Sequence, residues 1–273
     1  MAHPGGSATL LSRSEPELPV RSNVELRGTA IHVWRLLLDE HEGSLEEACA
    51  RVLSADERAR ASRFRSSAAR CRFVRCRTAL RALVHAYGAS ESPTSVVFDQ
   101  GPFGKPVLRS RGRVRLHFNV SHTAGMGVIA LASAGPIGVD VERIHDIPER
   151  ERLADRCFFA SERVEFAAVE APARSLAFFQ GWTRKEAFLK ATGEGLSRGL
   201  QELEVSLRPE QPARFLRVPG SPGAERDWSL HSFEPAPGYT AAVAAPWPDS
   251  TMTLFDGAAY GLDALYAGAA QGS

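Results

Sequence analysis

Two acidic side chains on one predicted strand offer the clearest chemistry in this sequence. Asp140 and Glu142 alternate with Val139 and Val141 in the segment PIGVDVERI. Because successive side chains of a strand point to opposite faces, both carboxylates are expected on the same face. Two neighbouring carboxylates repel each other unless a cation neutralises them. Mg²⁺ prefers such oxygen ligands and commonly shares them with substrate phosphates, so the pair predicts a site for a divalent cation.

A second segment, WTRKEAFLKATGEGL over residues 182–196, combines a carboxylate with lysines. On a helix, Trp182, Glu186 and Lys190 lie on one side, and a Glu–Lys pair at this spacing contributes about 0.2–0.5 kcal/mol. Only three of the 33 Lys and Arg residues are Lys, and two of the three, Lys185 and Lys190, lie in this segment. Helix stability does not explain this use of lysine in a chain that otherwise uses arginine. Lysine is a compact charge whose pKa shifts readily, which favours contact with a reacting phosphate or a role in proton transfer.

Two further motifs give weaker signals. Lys105, the third lysine, lies in the loop GPFGKP, where Gly and Pro favour a tight turn, but the spacing of a Walker phosphate-binding loop is missing. Ser121 and His122 are adjacent in a predicted strand, so their side chains point apart and His122 cannot be the base of this serine. His122 is therefore expected either as a donor to an anion or as an ordinary core histidine.

The elements that position these residues alternate between helices and short strands. A buried strand over 29–38 precedes a capping box at Ser54 and Glu57, and a helix over 67–87 stops at Gly88. The pattern predicts an α+β fold in two halves that meet near residues 134–137. Later elements are strands near 95–99, 115–121, 127–133, 136–144, 203–207, 214–218, 227–233 and 239–245, a helix over 162–170 capped by Ser161, and a longer helix over 173–192. The expected organisation is a flexible arm over 1–28, an N-terminal half over 29–135, a C-terminal half over 136–248 with the cation site, and a tail over 249–273.

Composition excludes several classes of protein. A hydrophobic content of 44% allows a buried core, and a formal net charge of +1 argues against a chain-wide nucleic-acid surface. No secretory signal and no apolar run long enough for a membrane helix are recognised, so we expect no membrane partner and a cytoplasmic location. The four cysteines form no CxxC pair and are expected to be reduced thiols.

Taken together, the motifs resemble the 4′-phosphopantetheinyl transferases of the surfactin-synthetase-activating type. The resemblance covers residues 50–245 and is strongest over 103–196. The matching segments are FGKP (103–106), FNVSHT (118–123), IGVDVERI (137–144) and WTRKEAFLKATGEGL (182–196).

The resemblance implies a fold, a reaction and partners. The fold is a pseudo-dimer of two similar α+β halves with the active site between them, which favours a monomer. The reaction moves phosphopantetheine from coenzyme A to a serine of an apo acyl or peptidyl carrier protein and releases adenosine 3′,5′-bisphosphate. Magnesium, with manganese as the alternative, is the implied metal, and secondary metabolism is the implied setting.

Residue by residue, the same resemblance implies roles for both motifs. Asp140, Glu142 and Glu186 correspond to the metal ligands. Glu186 is also the implied base toward the serine, directly or through metal-bound water. Lys190 corresponds to the cation on the reacting pyrophosphate.

The remaining implied contacts are with coenzyme A. The segment SADERARASRFR departs from the family pattern because Glu57 stands where a lysine for the 3′-phosphate is common, and Arg58, Arg60 and Arg63 are the candidates to replace it. The other implied contacts are Arg72 at the 3′-phosphate, Lys185, Ser121 and His122 at the phosphates, and Lys105 and Pro106 at the nucleotide.

Two other functions are compatible with parts of the pattern. A magnesium-dependent nuclease also combines Asp, Glu and Lys, but its Glu-x-Lys typically lies on a strand, whereas here Glu186 and Lys190 are four apart on a helix. A non-catalytic module that binds coenzyme A or carrier proteins would be expected to lack one of the acidic residues or Lys190, and all are present.

Overall fold

The computed structural model of the chain describes residues 9–11, 26–39, 50, 52–101, 106–109, 114–193 and 199–258, with the backbone alone for residues 9–11. The α-helices are α1 (Ala55–Ala61), α2 (Ser67–Ala86), α3 (Arg150–Cys157), α4 (Ala160–Ala167) and α5 (Arg174–Thr192). The strands are β1 (Thr9–Leu11), β2 (Ala30–Leu37), β3 (Phe98–Gln100), β4 (Pro106–Leu108), β5 (His117–Thr123), β6 (Met126–Ala132), β7 (Gly138–Arg143), β8 (Glu204–Val205), β9 (Phe215–Arg217), β10 (Ser229–Phe233), β11 (Tyr239–Ala245) and β12 (Thr251–Asp256).

Two main sheets organise these elements into an α+β fold, as the sequence predicts. One sheet has the order β1-β12-β2-β6-β5, and the other has the order β10-β11-β7. Strands β12 and β2 are parallel, whereas β2, β6 and β5 run antiparallel to their neighbours, as do β10, β11 and β7. The small ladders β3–β4 and β8–β9 complete the pairing.

The buried side chains show how the sheets and helices are layered. Alternate residues of β2 and β6, such as Ile31 and Val128, pack against Val139 and Val243 of the second sheet. The opposite face of the first sheet packs on α2, and the opposite face of the second sheet packs on α5. The order of layers is therefore α2, first sheet, second sheet and α5. This order explains why β6, which is covered on both sides, is buried along its whole length.

The predicted ends of the main helices are confirmed. Ser54 and Glu57 form the capping box of α1. Helix α5 ends at Gly193, which has a left-handed backbone with φ of 73° that glycine adopts without strain. Pro172 lies in a 3₁₀ turn over Ala171–Ala173, directly before α5 begins at Arg174, close to the predicted start of this helix at residue 173.

Two expectations about local structure need correction. Ser161 does not cap α4, because Phe159 is the N-cap residue and the Ser161 hydroxyl donates to the Glu204 carboxylate. The expected tail after residue 248 contains β12, which lies between β1 and β2. Its Met252 and Leu254 side chains are part of the core between the sheets. The segment is too short to show a long hydrophobic pattern, and it forms a strand because these alternate side chains are buried.

Two further observations concern the cysteines and the helices. Cys71, Cys76 and Cys157 are free thiols. None of the helices in the described part of the chain combines the length and the apolar character needed to cross a membrane.

Candidate active site between the two sheets

The edge strands β5 and β7 of the two sheets are joined by side chains rather than by a backbone ladder. The Asn119 amide oxygen accepts from the Val139 backbone N–H at 2.8 Å. Two residues further along β5, the Ser121 hydroxyl donates to the Asp140 carboxylate at 2.8 Å, and Thr123 donates to Glu142 at 3.1 Å. The period of two in both strands thus presents three polar side chains of β5 to the acidic side of β7.

Helix α5 reaches the acidic strand because β7 begins with a glycine. A Cβ atom placed on Gly138 would lie 2.0 Å from the Ala187 carbonyl oxygen and 2.4 Å from the Ala191 nitrogen. A larger residue would push the helix away from the strand, since real Cβ atoms do not approach backbone atoms so closely. Gly138 therefore allows the contact that brings Glu186 and Lys190 beside Asp140.

Lys190, Asp140 and Ser121 form a closed hydrogen-bonded triangle. The Lys190 ammonium donates to Asp140 Oδ1 at 2.6 Å and to Ser121 Oγ at 2.9 Å. Asp140 is only 4% exposed, whereas the Lys190 side chain is 29% exposed. The ammonium thus neutralises a buried carboxylate while it remains accessible to a ligand.

Glu142 and Glu186 complete the acidic group, and their environment favours the protonated form. Burial and then the Asp140 carboxylate raise the pKa of Glu142 above its ordinary value, although Thr123 opposes this. Burial and Asp140 also raise the pKa of Glu186, with opposition from Lys190 and a further rise from Glu142. The three carboxyl groups therefore lie close enough to repel one another, which is the condition that a bound cation relieves.

Two oxygens of this group fit a hard cation. Asp140 Oδ2 and Glu186 Oε1 are buried and have no hydrogen-bond partner among the described residues. Unsatisfied buried carboxylate oxygens are costly, and oxygen donors are what Mg²⁺ takes as ligands. No three His, Cys, Asp or Glu residues in the described ranges are already converged around a common point at ligand spacing. The donor set thus suits a divalent cation, but the side chains would have to close around it.

Positive side chains flank the acidic group on the side of α1 and α2. Partial burial, and then the charges of Lys190, Arg72 and Arg60, lower the pKa of His122. Since charges act on the pKa of a group mainly at short range, Lys190, Arg72 and Arg60 lie within range of the predicted phosphate contact His122. His122 is exposed and its neighbour Ser121 is buried, as expected for adjacent residues of a strand.

Lys185 does not belong to this site, which corrects the prediction that it flanks the phosphates. Its side chain is 0% exposed and pairs with Glu162 on α4 at 2.5 Å. Its ammonium also donates to the carbonyls of Leu200 at 2.9 Å and Leu203 at 2.5 Å. The helix turns about 100° per residue, so Lys185 points into the core on the far side of α5 from Lys190.

The other predicted nucleotide contacts are less directly placed. Lys105 lies outside the described residues. Pro106 begins β4 in the small β3–β4 ladder, where it pairs with Gln100. Glu57, which replaces an expected lysine, accepts from the Ser54 backbone at 2.9 Å and pairs with Arg81 at 2.7 Å and Arg77 at 3.3 Å. Its role is therefore to fix α1 on α2.

Sequence reasoning missed several residues that build the site. Asn119 and Thr123 could have been found, since both share the face of Ser121 by the period of two. Gly138 also carried a signal, because it precedes Asp140 by two residues on the face that carries the carboxylates. No sequence signal pointed to Glu162 as the partner of Lys185, because it is 23 residues away on another helix.

Known proteins similar to this chain share one activity in their names. Residues 136–244 match the family model of the 4′-phosphopantetheinyl transferase superfamily. The chain is 36% identical to 4′-phosphopantetheinyl transferase HetI of Nostoc sp. over 83% of this chain and 92% of that protein. It is 38% identical to the putative transferase slr0495 of Synechocystis sp. over 66% of this chain and 72% of that protein, and 31% identical to psf-1 of Bacillus pumilus over 72% and 80%. The matched region contains Asp140, Glu142, Glu186 and Lys190, and the chain belongs to the 4′-phosphopantetheinyl transferases.

Proposed function

We propose that this chain transfers 4′-phosphopantetheine from coenzyme A to a serine of apo acyl or peptidyl carrier proteins. The observation that carries the proposal is the contact of Lys190 with Asp140 and Ser121, next to two buried carboxylate oxygens that have no hydrogen-bond partner in the described part of the chain. Phosphoryl transfer depends mainly on positioning and on charge placed around the reacting phosphate. This group supplies both a compact cation and oxygen ligands at one point between the sheets.

The acidic residues Asp140, Glu142 and Glu186 would hold a magnesium ion, with manganese as the alternative. When bound, such an ion neutralises charge on the phosphates of the substrate. Three carboxylates against one divalent ion leave the site negative. Lys190, His122 and the arginines Arg60 and Arg72 are therefore needed to accept a ligand as highly charged as coenzyme A.

The proposed transfer assigns roles to Glu186, Lys190 and Ser121. The serine oxygen of the carrier forms a bond to the phosphorus that bears the pantetheine arm, while the bond from this phosphorus to the bridging oxygen of the pyrophosphate breaks. Adenosine 3′,5′-bisphosphate leaves with the electron pair of that bond. Glu186 is the side chain that would accept the serine proton, directly or through a water molecule. Lys190, whose side chain is partly exposed, donates to the reacting phosphate, and its hydrogen bond to Ser121 orients it.

The test is a mass measurement on carriers. The protein is incubated with coenzyme A, Mg²⁺ and a panel of purified apo acyl and peptidyl carriers, and the carriers are weighed. We expect at least one carrier to gain the mass of one phosphopantetheine, and we expect neither the Asp140→Ala variant nor protein treated with a chelator to load it. No gain on any carrier by folded protein supplied with metal would overturn the proposal.

A further inference from the structure

Asp39, which follows β2, makes a contact that the proposed function does not use. Its carboxylate binds Arg72 of α2 through two parallel hydrogen bonds, from Nε at 2.5 Å and from Nη2 at 2.7 Å. The hydrogen bonds from Arg72 lower the pKa of Asp39; partial burial opposes this, and the charges of Arg72 and Arg75 lower it further. Such a two-point pair fixes the plane of a guanidinium as well as its position.

The carboxylate of Asp39 also lies directly against the turn between β5 and β6. A Cβ atom on Gly125, whose φ is 85°, would be 2.4 Å from Asp39 Oδ2. The Leu38 backbone N–H donates to the Gly125 carbonyl at 2.7 Å, and the Tyr239 hydroxyl donates to the Ala124 carbonyl at 2.7 Å. This turn is therefore clamped in place, and it directly follows the strand end that carries Ser121 and His122.

Asp39 engages only part of Arg72. A guanidinium has five N–H donors in a planar fork, and the two hydrogen bonds to Asp39 take up one edge of it. The charge of Arg72 still lowers the pKa of His122, so Arg72 lies close to the predicted phosphate contacts although it is paired. The Asp39 pair is thus compatible with a second anion on another edge of the same guanidinium.

We propose that Asp39 is a positioning residue that holds Arg72 beside His122 for the 3′-phosphate of coenzyme A. This inference rests on the proposed function, because it takes coenzyme A as the ligand. A free arginine on a helix surface loses considerable side-chain entropy when it binds a phosphate, and a carboxylate that holds it in advance removes part of that cost. Asp39 should therefore favour ligands that carry the 3′-phosphate and have no effect on those that lack it.

The experiment compares two ligands that differ in one phosphate. Calorimetry gives the dissociation constants of coenzyme A and 3′-dephospho-coenzyme A for the wild type and for Asp39→Asn, with Mg²⁺ present. We expect Asp39→Asn to weaken coenzyme A binding about tenfold, the size typical of losing a charged hydrogen bond, and to leave the dephospho ligand within about twofold. Glu165→Gln is the matched control, because it removes a different partly exposed carboxylate–arginine pair, Glu165–Arg208 at 3.2 Å.

A double-mutant cycle separates positioning from a general effect on the fold. If Asp39 acts through Arg72, Asp39→Asn has no further effect on coenzyme A binding in the Arg72→Ala background. Equal weakening of both ligands, unchanged or tighter coenzyme A binding, or an effect that persists without Arg72 would each overturn the inference. Carrier loading is measured in parallel, so protein that shows the expected Asp39 dependence but loads no carrier would overturn the proposed transfer alone.

Discussion

Helix α5 carries two lysine–carboxylate pairs that differ in their surroundings. Lys190 meets Asp140 at 2.6 Å and remains 29% exposed, whereas Lys185 meets Glu162 at 2.5 Å with both side chains at most 1% exposed. Five residues on a helix correspond to a rotation of about 140°, so the two lysines point to different layers of the fold. The same residue type, in one segment, therefore serves two distinct purposes.

The buried pair explains why lysine is used at position 185. An ammonium has three N–H donors, and three oxygens surround it, from Glu162, Leu200 and Leu203. Glu162 in turn accepts from the Phe159 and Val205 backbones at 2.6 and 2.7 Å. Burial lowers the pKa of Lys185 and raises that of Glu162, and their contact opposes both changes. This network ties α4, α5 and the segment before β8 together, so Lys185 is structural.

The largest expected effect comes from breaking the buried pair. Lys185→Ala leaves the Glu162 carboxylate buried without its cation, and we expect a loss of about 3–5 kcal/mol in the free energy of unfolding. Lys190→Ala is the matched comparison and should cost less, because the Lys190 side chain is 29% exposed and water can reach the gap that it leaves beside Asp140. Urea denaturation of both variants measures the difference. Equal losses would show that the two pairs are energetically alike.

A smaller effect is expected when the exposed lysine keeps its charge but changes shape. Lys190→Arg replaces a compact ammonium, which serves Asp140 and Ser121 at once, by a planar fork. We expect kcat for carrier loading to fall at least about tenfold, or about 1.4 kcal/mol in the barrier, with an unchanged melting temperature. Steady-state kinetics test this. Activity within twofold of the wild type would mean that only the positive charge at position 190 matters.

The smallest effect concerns the carboxylates themselves. Glu186→Gln removes one of three mutually repelling groups, so the metal-free protein should gain up to about 1 kcal/mol in stability while it loses activity. Glu162→Gln should instead lower the stability, because it leaves the Lys185 ammonium buried without a counter-charge. Unfolding is followed in urea with a chelator present. If both variants lose the same stability, the repulsion among the site carboxylates is negligible.

Most of the fold was predictable because its signals are local. The Ser54–Glu57 capping box, the glycine at the end of α5 and the strand alternation around Asp140 are all set by neighbours in sequence. Strand β12 was not predicted, because a six-residue strand acquires its identity from partners more than 200 residues away in β2. Its alternating Met252 and Leu254 are informative only once a second sheet is known to face them.

The candidate site divides in the same way. Asp140, Glu142, Glu186 and Lys190 were predicted as a group from residue type and spacing, since a strand or a helix fixes which side chains share a face. The prediction that Lys185 contacts the phosphates together with Lys190 was wrong. Both lysines fall within one motif, and spacing alone does not say which face of the helix meets the active site.

The sequence by itself determined the types of chemical group and their grouping on two elements, because period and residue identity are local properties. Only the tertiary structure decided which partners these groups meet. Gly138 lets α5 approach β7, and this contact gives Lys190 a carboxylate and a hydroxyl while its side chain stays 29% exposed. The packing of α4 against the opposite face gives Lys185 a carboxylate in a sealed core. Burial and distance, which arise only on packing, separate a structural lysine from one that can meet a substrate.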